Sequence, residues 1–177
     1  SKSSAETVVS IKVVGINDPP VANNDGPYNV DEDVTLSVGS LQGLLVNDRD
    51  PDNAITTLSI IVVSQPRNGT LSIANDGSFQ YRGNPNFSGS DEFQYQLSDG
   101  KLLSGVAQVA INIRSVNDAP IAQDRSFSIN EDSLLSGGDL MVGSSDVEDA
   151  QSSLTAVIDP ANQAVNGSLA LNGDNRT

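Results

Sequence analysis

The sequence predicts an all-β protein made of short strands packed as sandwiches. Two local observations point that way. Apolar residues alternate with polar ones at Phe79 and Tyr81, then at Phe93, Tyr95 and Leu97. A period of two marks a strand with one buried face. Turn dipeptides punctuate these runs at Asn68-Gly69, Asp76-Gly77 and Asp99-Gly100, supplying residues that tolerate positive φ. No stretch of helical length carries a 3.6-residue apolar stripe. The third observation is internal repetition. A period near one hundred residues is the size of an immunoglobulin-like Greek-key sandwich, so the expectation is such sandwiches in tandem.

The repetition is collinear. Ile16-Asn17-Asp18-Pro19-Pro20-Val21-Ala22 returns as Val116-Asn117-Asp118-Ala119-Pro120-Ile121-Ala122. Val30-Asp31-Glu32-Asp33 returns as Ile129-Asn130-Glu131-Asp132. Asp50 to Leu58 is echoed by Asp146 to Leu154, and Asn68-Gly69-Thr70-Leu71 by Asn166-Gly167-Ser168-Leu169. Chance similarities would not keep one order along the chain.

Taken from the start, Thr7 to Val13 resembles Ala107 to Ile113, and each precedes an Asn-Asp-x-Pro segment. Residues 1–16 therefore read as the last strand of a preceding repeat. Residues 17–116 read as one complete repeat. Residues 117–177 read as a second repeat truncated before counterparts of the Phe79 and Phe93 strands. Lacking closing strands, it is expected to be partly disordered or to borrow a strand. The Asn-Asp-x-Pro segments are expected to be short, stiff linkers, because proline removes a donor and holds its predecessor extended. In Val106, Val109, Ile111 and Ile113 the alternation slips once, which suggests a bulge. The aromatics at 79, 81, 93 and 95 are expected in the core or as cross-strand pairs.

Composition removes several function classes. The chain has no Cys, no His and no Trp. That leaves no Ser-His-Asp triad, no thiol nucleophile, no disulfide and no imidazole or thiolate metal site. Acidic residues outnumber basic ones 23 to 9, a net charge of −14, which opposes binding to nucleic acid or to anionic lipid. No segment is long and apolar enough to span a bilayer. Ser1 to Thr7 is polar and is not a signal peptide, so an export signal would lie elsewhere. Asn68, Asn86 and Asn166 each open a glycosylation sequon. The two Asn-Gly cases are more simply turns.

The acidity is clustered. Asp48, Asp50 and Asp52 alternate, and side chains two apart share one side of an extended segment. Crowded carboxylates repel one another unless a cation joins them. Calcium takes six to eight oxygens in loosely constrained geometry, which suits this ligand chemistry.

Together the Asn-Asp-x-Pro linkers, the early Glu-Asp pairs, Leu45-Val46-Asn47-Asp48-Arg49-Asp50-Pro51-Asp52, Asn68-Gly69-Thr70, Asp76-Gly77-Ser78-Phe79 and Asp91-x-Phe93-x-Tyr95 resemble bacterial cadherin-like tandem repeats of surface adhesins. The resemblance implies Ca2+ where consecutive repeats meet. The upstream junction would use Asn17, Asp18, Asp48, Asp50 and Asp52, with Asp99 as a further candidate. The downstream junction would use Glu32 and Asp33, then Asn117 and Asp118, then Asp146, Glu148 and Asp149. Ser144 stands where Asp48 would be, so the downstream site is expected to be the poorer one.

The resemblance implies a calcium-binding structural or adhesive repeat, outside the cell or on its surface, without enzymatic activity. Its partners would be neighbouring repeats of the same chain, like repeats on other molecules, or a surface polysaccharide. The alternative is a carbohydrate-binding module of an exported polysaccharide-active protein. That alternative calls for an exposed aromatic platform, and the chain has seven Phe and Tyr residues and no Trp.

Overall fold

A computed structural model describes residues 8–136, 138–160 and 168–171. Ser1–Thr7 and Asn166-Gly167 lie outside the described residues. The chain divides into two compact units, Ser1–Ser115 and Val116–Thr177.

Among the described residues the first unit holds seven strands: β1 (Asp25–Asp31), β2 (Thr35–Val38), β3 (Ser59–Ser64), β4 (Gly69–Ile73), β5 (Phe79–Gly83), β6 (Gly89–Ser98) and β7 (Ala107–Arg114). They form two sheets, one ordered β1-β7-β6-β3 and the other β2-β5-β4. β1 runs parallel to β7, and every other pairing is antiparallel. The chain crosses between the sheets after β1, β2, β3 and β5, which makes a Greek-key β-sandwich.

The period-two residues become the core. On β6, Phe93, Tyr95 and Leu97 are fully buried, and on β5 Phe79 and Tyr81 face them. Phe79 meets Phe93 edge-on at 5.6 Å and Tyr28 edge-on at 5.1 Å, the geometry ring quadrupoles favour. The Tyr28 hydroxyl donates to the Gln42 carbonyl at 2.9 Å. Tyr28→Phe keeps the ring contact and loses that bond, so it is expected to cost about 1 kcal/mol in urea unfolding.

The expected bulge near Val106 is absent. Val106 is exposed and precedes β7, whose buried residues Ala107, Val109, Ile111 and Ile113 alternate strictly. Pairing to β6 is regular throughout. The apparent slip is the strand boundary. The Asp76-Gly77 turn joins β4 to β5 as expected. Gly77 adopts φ +82, its N–H donates to the Ala74 carbonyl, and the Asp76 carboxylate accepts from the Ser78 N–H and hydroxyl. Those donors hold the Asp76 carboxyl below its ordinary range.

Residues 8–16 form no strand and expose Val8, Val9, Ile11, Val13, Val14 and Ile16. Among the described residues of the second unit there is no strand either. That unit shows an Ile121–Ser145 bridge, a 3-10 turn at Gln151–Ser153 and a buried Met141. Among the described residues no helix is long and apolar enough to cross a membrane.

Candidate metal site

Most of the candidate ligands of the first unit lie at opposite ends of its sandwich. One end is where β6 finishes at Ser98 and β3 begins at Ser59, paired with it. Asn17, Asp18, Asp50, Asp52 and Asp99 are linked there. Asp50 Oδ1 accepts from the Asp52 N–H at 2.8 Å, the Asn53 N–H at 2.7 Å and the Asn53 side-chain amide at 3.1 Å. This is the Asx turn that a short acidic side chain makes with backbone two residues on. Asp52 Oδ2 in turn accepts from the Asp18 N–H at 2.7 Å. The Asn17 amide donates to Asp99 Oδ2 at 2.7 Å, and Lys101 Nζ donates to Asn17 Oδ1 at 3.4 Å.

Asp99 Oδ1 closes its own turn, accepting from the N–H groups of Lys101 and Leu102, each at 2.7 Å. The Leu102 N–H foremost, with the Asn17 amide and the Lys101 N–H, holds the Asp99 carboxyl below its ordinary range. It is therefore an anion near neutrality.

Asp50 supplies the fit test for a cation. Its Oδ1 has three donors, whereas its Oδ2 is buried without a hydrogen-bond partner. Among the described residues no other buried side-chain oxygen or nitrogen is left this way. A buried polar atom without a partner carries a desolvation cost of about 1–3 kcal/mol, more when charged. A calcium ion at Oδ2 would remove that cost. The cage is not preformed: among the described residues no three acidic side chains converge on a common point. Calcium also accepts amide and carbonyl oxygens, and Asn17 Oδ1 and the Asp18 carbonyl belong to the same cluster.

Asp48 lies in a different cluster. Its Oδ1 accepts from the Asn23 N–H at 2.7 Å and its Oδ2 from the Tyr95 hydroxyl at 2.8 Å. Asp25 Oδ2 approaches the same hydroxyl at 2.9 Å. One hydroxyl proton cannot serve two carboxylates. Burial, with the charge of Asp48 adding to it, pushes the Asp25 carboxyl up to about 6. Burial also raises Asp48.

Glu32 and Asp33 sit at the other end, where β1 and β7 finish together at Asp31 and Arg114. Glu32 is buried, and its N–H donates to the Arg114 carbonyl at 2.9 Å. Asp33 turns the chain at φ +58 and accepts from the Asn86 N–H.

The second unit reproduces the Asx loop. Asp146 Oδ1 accepts from the Glu148 and Asp149 N–H groups at 3.0 and 2.9 Å. Glu148 Oε2 accepts from the Asp118 N–H at 3.0 Å, and the Asn117 amide donates to the Asp118 carbonyl at 2.8 Å. The Val21–Arg49 bridge of the first unit has its counterpart in Ile121–Ser145. Ser144, in place of Asp48, removes nothing from this loop, because Asp48 is engaged with Tyr95 and Asn23.

Several contributors escape a reading of the sequence. Asn53 and Lys101 carry no acidic signal, although Asn53 directly follows the Asp50-Pro51-Asp52 run. Asp25 reaches Tyr95 only through folding, across a separation of 70 residues.

A Greek-key sandwich of two antiparallel-rich sheets with Asx-rich acidic loops at its end defines an immunoglobulin-like class of fold. The chain belongs to the bacterial cadherin-like domain family, whose model matches residues 17–115. It is also similar to integrin beta-like proteins C and B of Dictyostelium discoideum. Each is 27% identical, over 144 and 143 residues, covering 71% of this chain. The chain spans about 7% of the length of those curated relatives. Among solved structures it resembles an endo-fucoidan hydrolase of glycoside hydrolase family 107, MfFcnA4, in two structures of which the first is a single-residue variant. The identities are 20% and 22%, over 59% and 55% of this chain and 16% and 14% of theirs, with TM-scores of 0.43 and 0.35. Those scores are too low to bear on function.

Proposed function

We propose that the chain is a calcium-binding structural and adhesive module of a secreted or cell-surface protein, with no enzymatic role. Its sandwiches stand in tandem, and Ca2+ stiffens the junctions between them. The observation that carries this reading is Asp50 Oδ2, a buried carboxylate oxygen without a partner inside a cluster of oxygen donors. Asn17, Asp18, Asp50, Asp52 and Asp99 hold one ion. Asn117, Asp118, Asp146, Glu148 and Asp149 are the matching set in the second unit, and Glu32 and Asp33 offer carboxylates at the other end of the first sandwich. The placement of acidic groups at both ends of one sandwich supports the tandem arrangement.

The partners in this reading are neighbouring units and like modules on other molecules. A carbohydrate-binding role is less well supported. Phe79, Tyr81, Phe93 and Tyr95 are buried, Tyr28 and Phe87 pack on the core, and the exposed Phe127 lies under Arg125. No aromatic platform remains for a sugar ring.

Extracellular calcium modules bind at roughly 10⁻⁴ to 10⁻³ M. At about 10 mM calcium, mass action then adds about 1.4–2.7 kcal/mol to folding stability. The test is calorimetric titration with calcium against a magnesium control, with melting followed in parallel. Binding that weakens at least about tenfold in Asp50→Asn supports the reading. No heat and an unchanged melting temperature in the native chain overturn it.

A further inference from the structure

We propose that Lys101 is a built-in competitor cation, latching the metal-binding end of the first unit shut until a divalent ion displaces it. This rests on the calcium reading above and names how the same site is controlled.

The geometry is a chain of three residues. Lys101 Nζ donates to Asn17 Oδ1, and the Asn17 amide donates to Asp99 Oδ2. Asn17 Oδ1 and Asp99 Oδ2 are the two side-chain oxygens these residues would turn toward a cation. In the latched state both already have donors. The contact ties the linker to the β6–β7 hairpin across 84 residues of sequence. Asp99 fixes the hairpin backbone at Lys101 and Leu102, so the lysine stem starts from a held position beside the cluster.

Two consequences follow from charge alone. Without metal, the ammonium offsets the mutual repulsion of Asp18, Asp50, Asp52 and Asp99, which keeps the loops gathered. With metal, a monovalent cation next to a divalent one opposes binding. Coulomb's law, screened at physiological ionic strength, makes that opposition about threefold in affinity for a charge one shell away in a watery site. The latch therefore moves calcium affinity toward the weaker end of the range and makes filling respond to ambient calcium.

The test is calcium titration of the native chain, Lys101→Met, Lys101→Arg and Asp50→Asn, at about 0.15 M and about 1 M salt, where the Debye length falls from about 8 to about 3 Å. The expected result is binding about threefold tighter in Lys101→Met and near-native binding in Lys101→Arg. The methionine advantage should shrink at high salt, as a charge effect does and a purely structural effect does not. Native binding lost in Asp50→Asn, with Lys101→Met equal to or weaker than native, overturns the latch and leaves the calcium site standing. A native chain that binds no calcium at either salt overturns both.

Discussion

Asp91→Ala is expected to destabilise the sandwich by about 3–5 kcal/mol, seen as a fall in urea midpoint at unchanged slope. The Asp91 carboxylate is buried and accepts four hydrogen bonds. They come from the N–H groups of Arg67 and Asn68 at 3.0 and 2.9 Å, the Tyr81 hydroxyl at 2.9 Å and the Glu92 N–H at 2.9 Å. It ties the approach to β4 to the start of β6 and caps a fully buried tyrosine. Alanine leaves the Arg67 and Asn68 N–H groups without this acceptor and the hydroxyl with only the Asn68 carbonyl at 3.4 Å, and unmade buried bonds cost more than made ones contribute. Total stabilities of about 5–15 kcal/mol make such a loss severe. Tyr81→Phe removes one donor and should cost only about 1 kcal/mol, so it reads the same network in a variant that keeps its fold. A loss below about 1 kcal/mol in Asp91→Ala would contradict the role.

Asp25→Asn is expected to stabilise the protein by about 1–2 kcal/mol at pH 7.5, after allowing for solvent screening of a half-exposed group. The folded Asp25 carboxyl is raised from 3.8 to about 6, so the folded state holds the proton more tightly than the unfolded chain. Its contribution is fully present below about pH 4 and is lost as pH rises through about 6. Asp48 is shifted the same way by burial, while Asp76 and Asp99 are shifted the opposite way. Comparing the native chain with Asp25→Asn across pH isolates the one group. The asparagine oxygen offers Tyr95 an acceptor without the carboxylate's charge. The difference between the two proteins should close between pH 7.5 and 4. Equal midpoints at pH 7.5 would contradict the shared-hydroxyl geometry.

What the sequence made legible was local. Phe79, Tyr81, Phe93, Tyr95 and Leu97 announced buried strand faces because a pleat repeats every two residues. Asp76-Gly77 announced its turn because glycine accepts positive φ at no steric cost. The Asp50-to-Leu58 and Asp146-to-Leu154 segments showed as similar strings and fold as similar Asx loops, because those bonds span two or three residues. What stayed hidden was long-range. Nothing near Asp25 signals parallel pairing of β1 with β7, which joins residues 83 apart at Asp31 and Arg114. Asp48 reads as one of three equivalent alternating aspartates until the fold sends it to Tyr95. Asp91 shares the phase of Phe93, Tyr95 and Leu97, but nothing near it names the Arg67 and Asn68 N–H groups that meet it. The Asx loop thus rests on Asp50 and its neighbours rather than on the whole acidic run.

The central claim is that Asp50 Oδ2 is the keystone of a calcium site, and locating the ion tests it most directly. Crystals grown with calcium, measured at a wavelength where calcium scatters anomalously, should show a peak at about 2.3–2.6 Å from Asp50 Oδ2. Asn17, Asp18, Asp52 or Asp99 oxygens should complete the shell. A peak held instead by Asp25 and Asp48, or none at saturating calcium, would contradict the account.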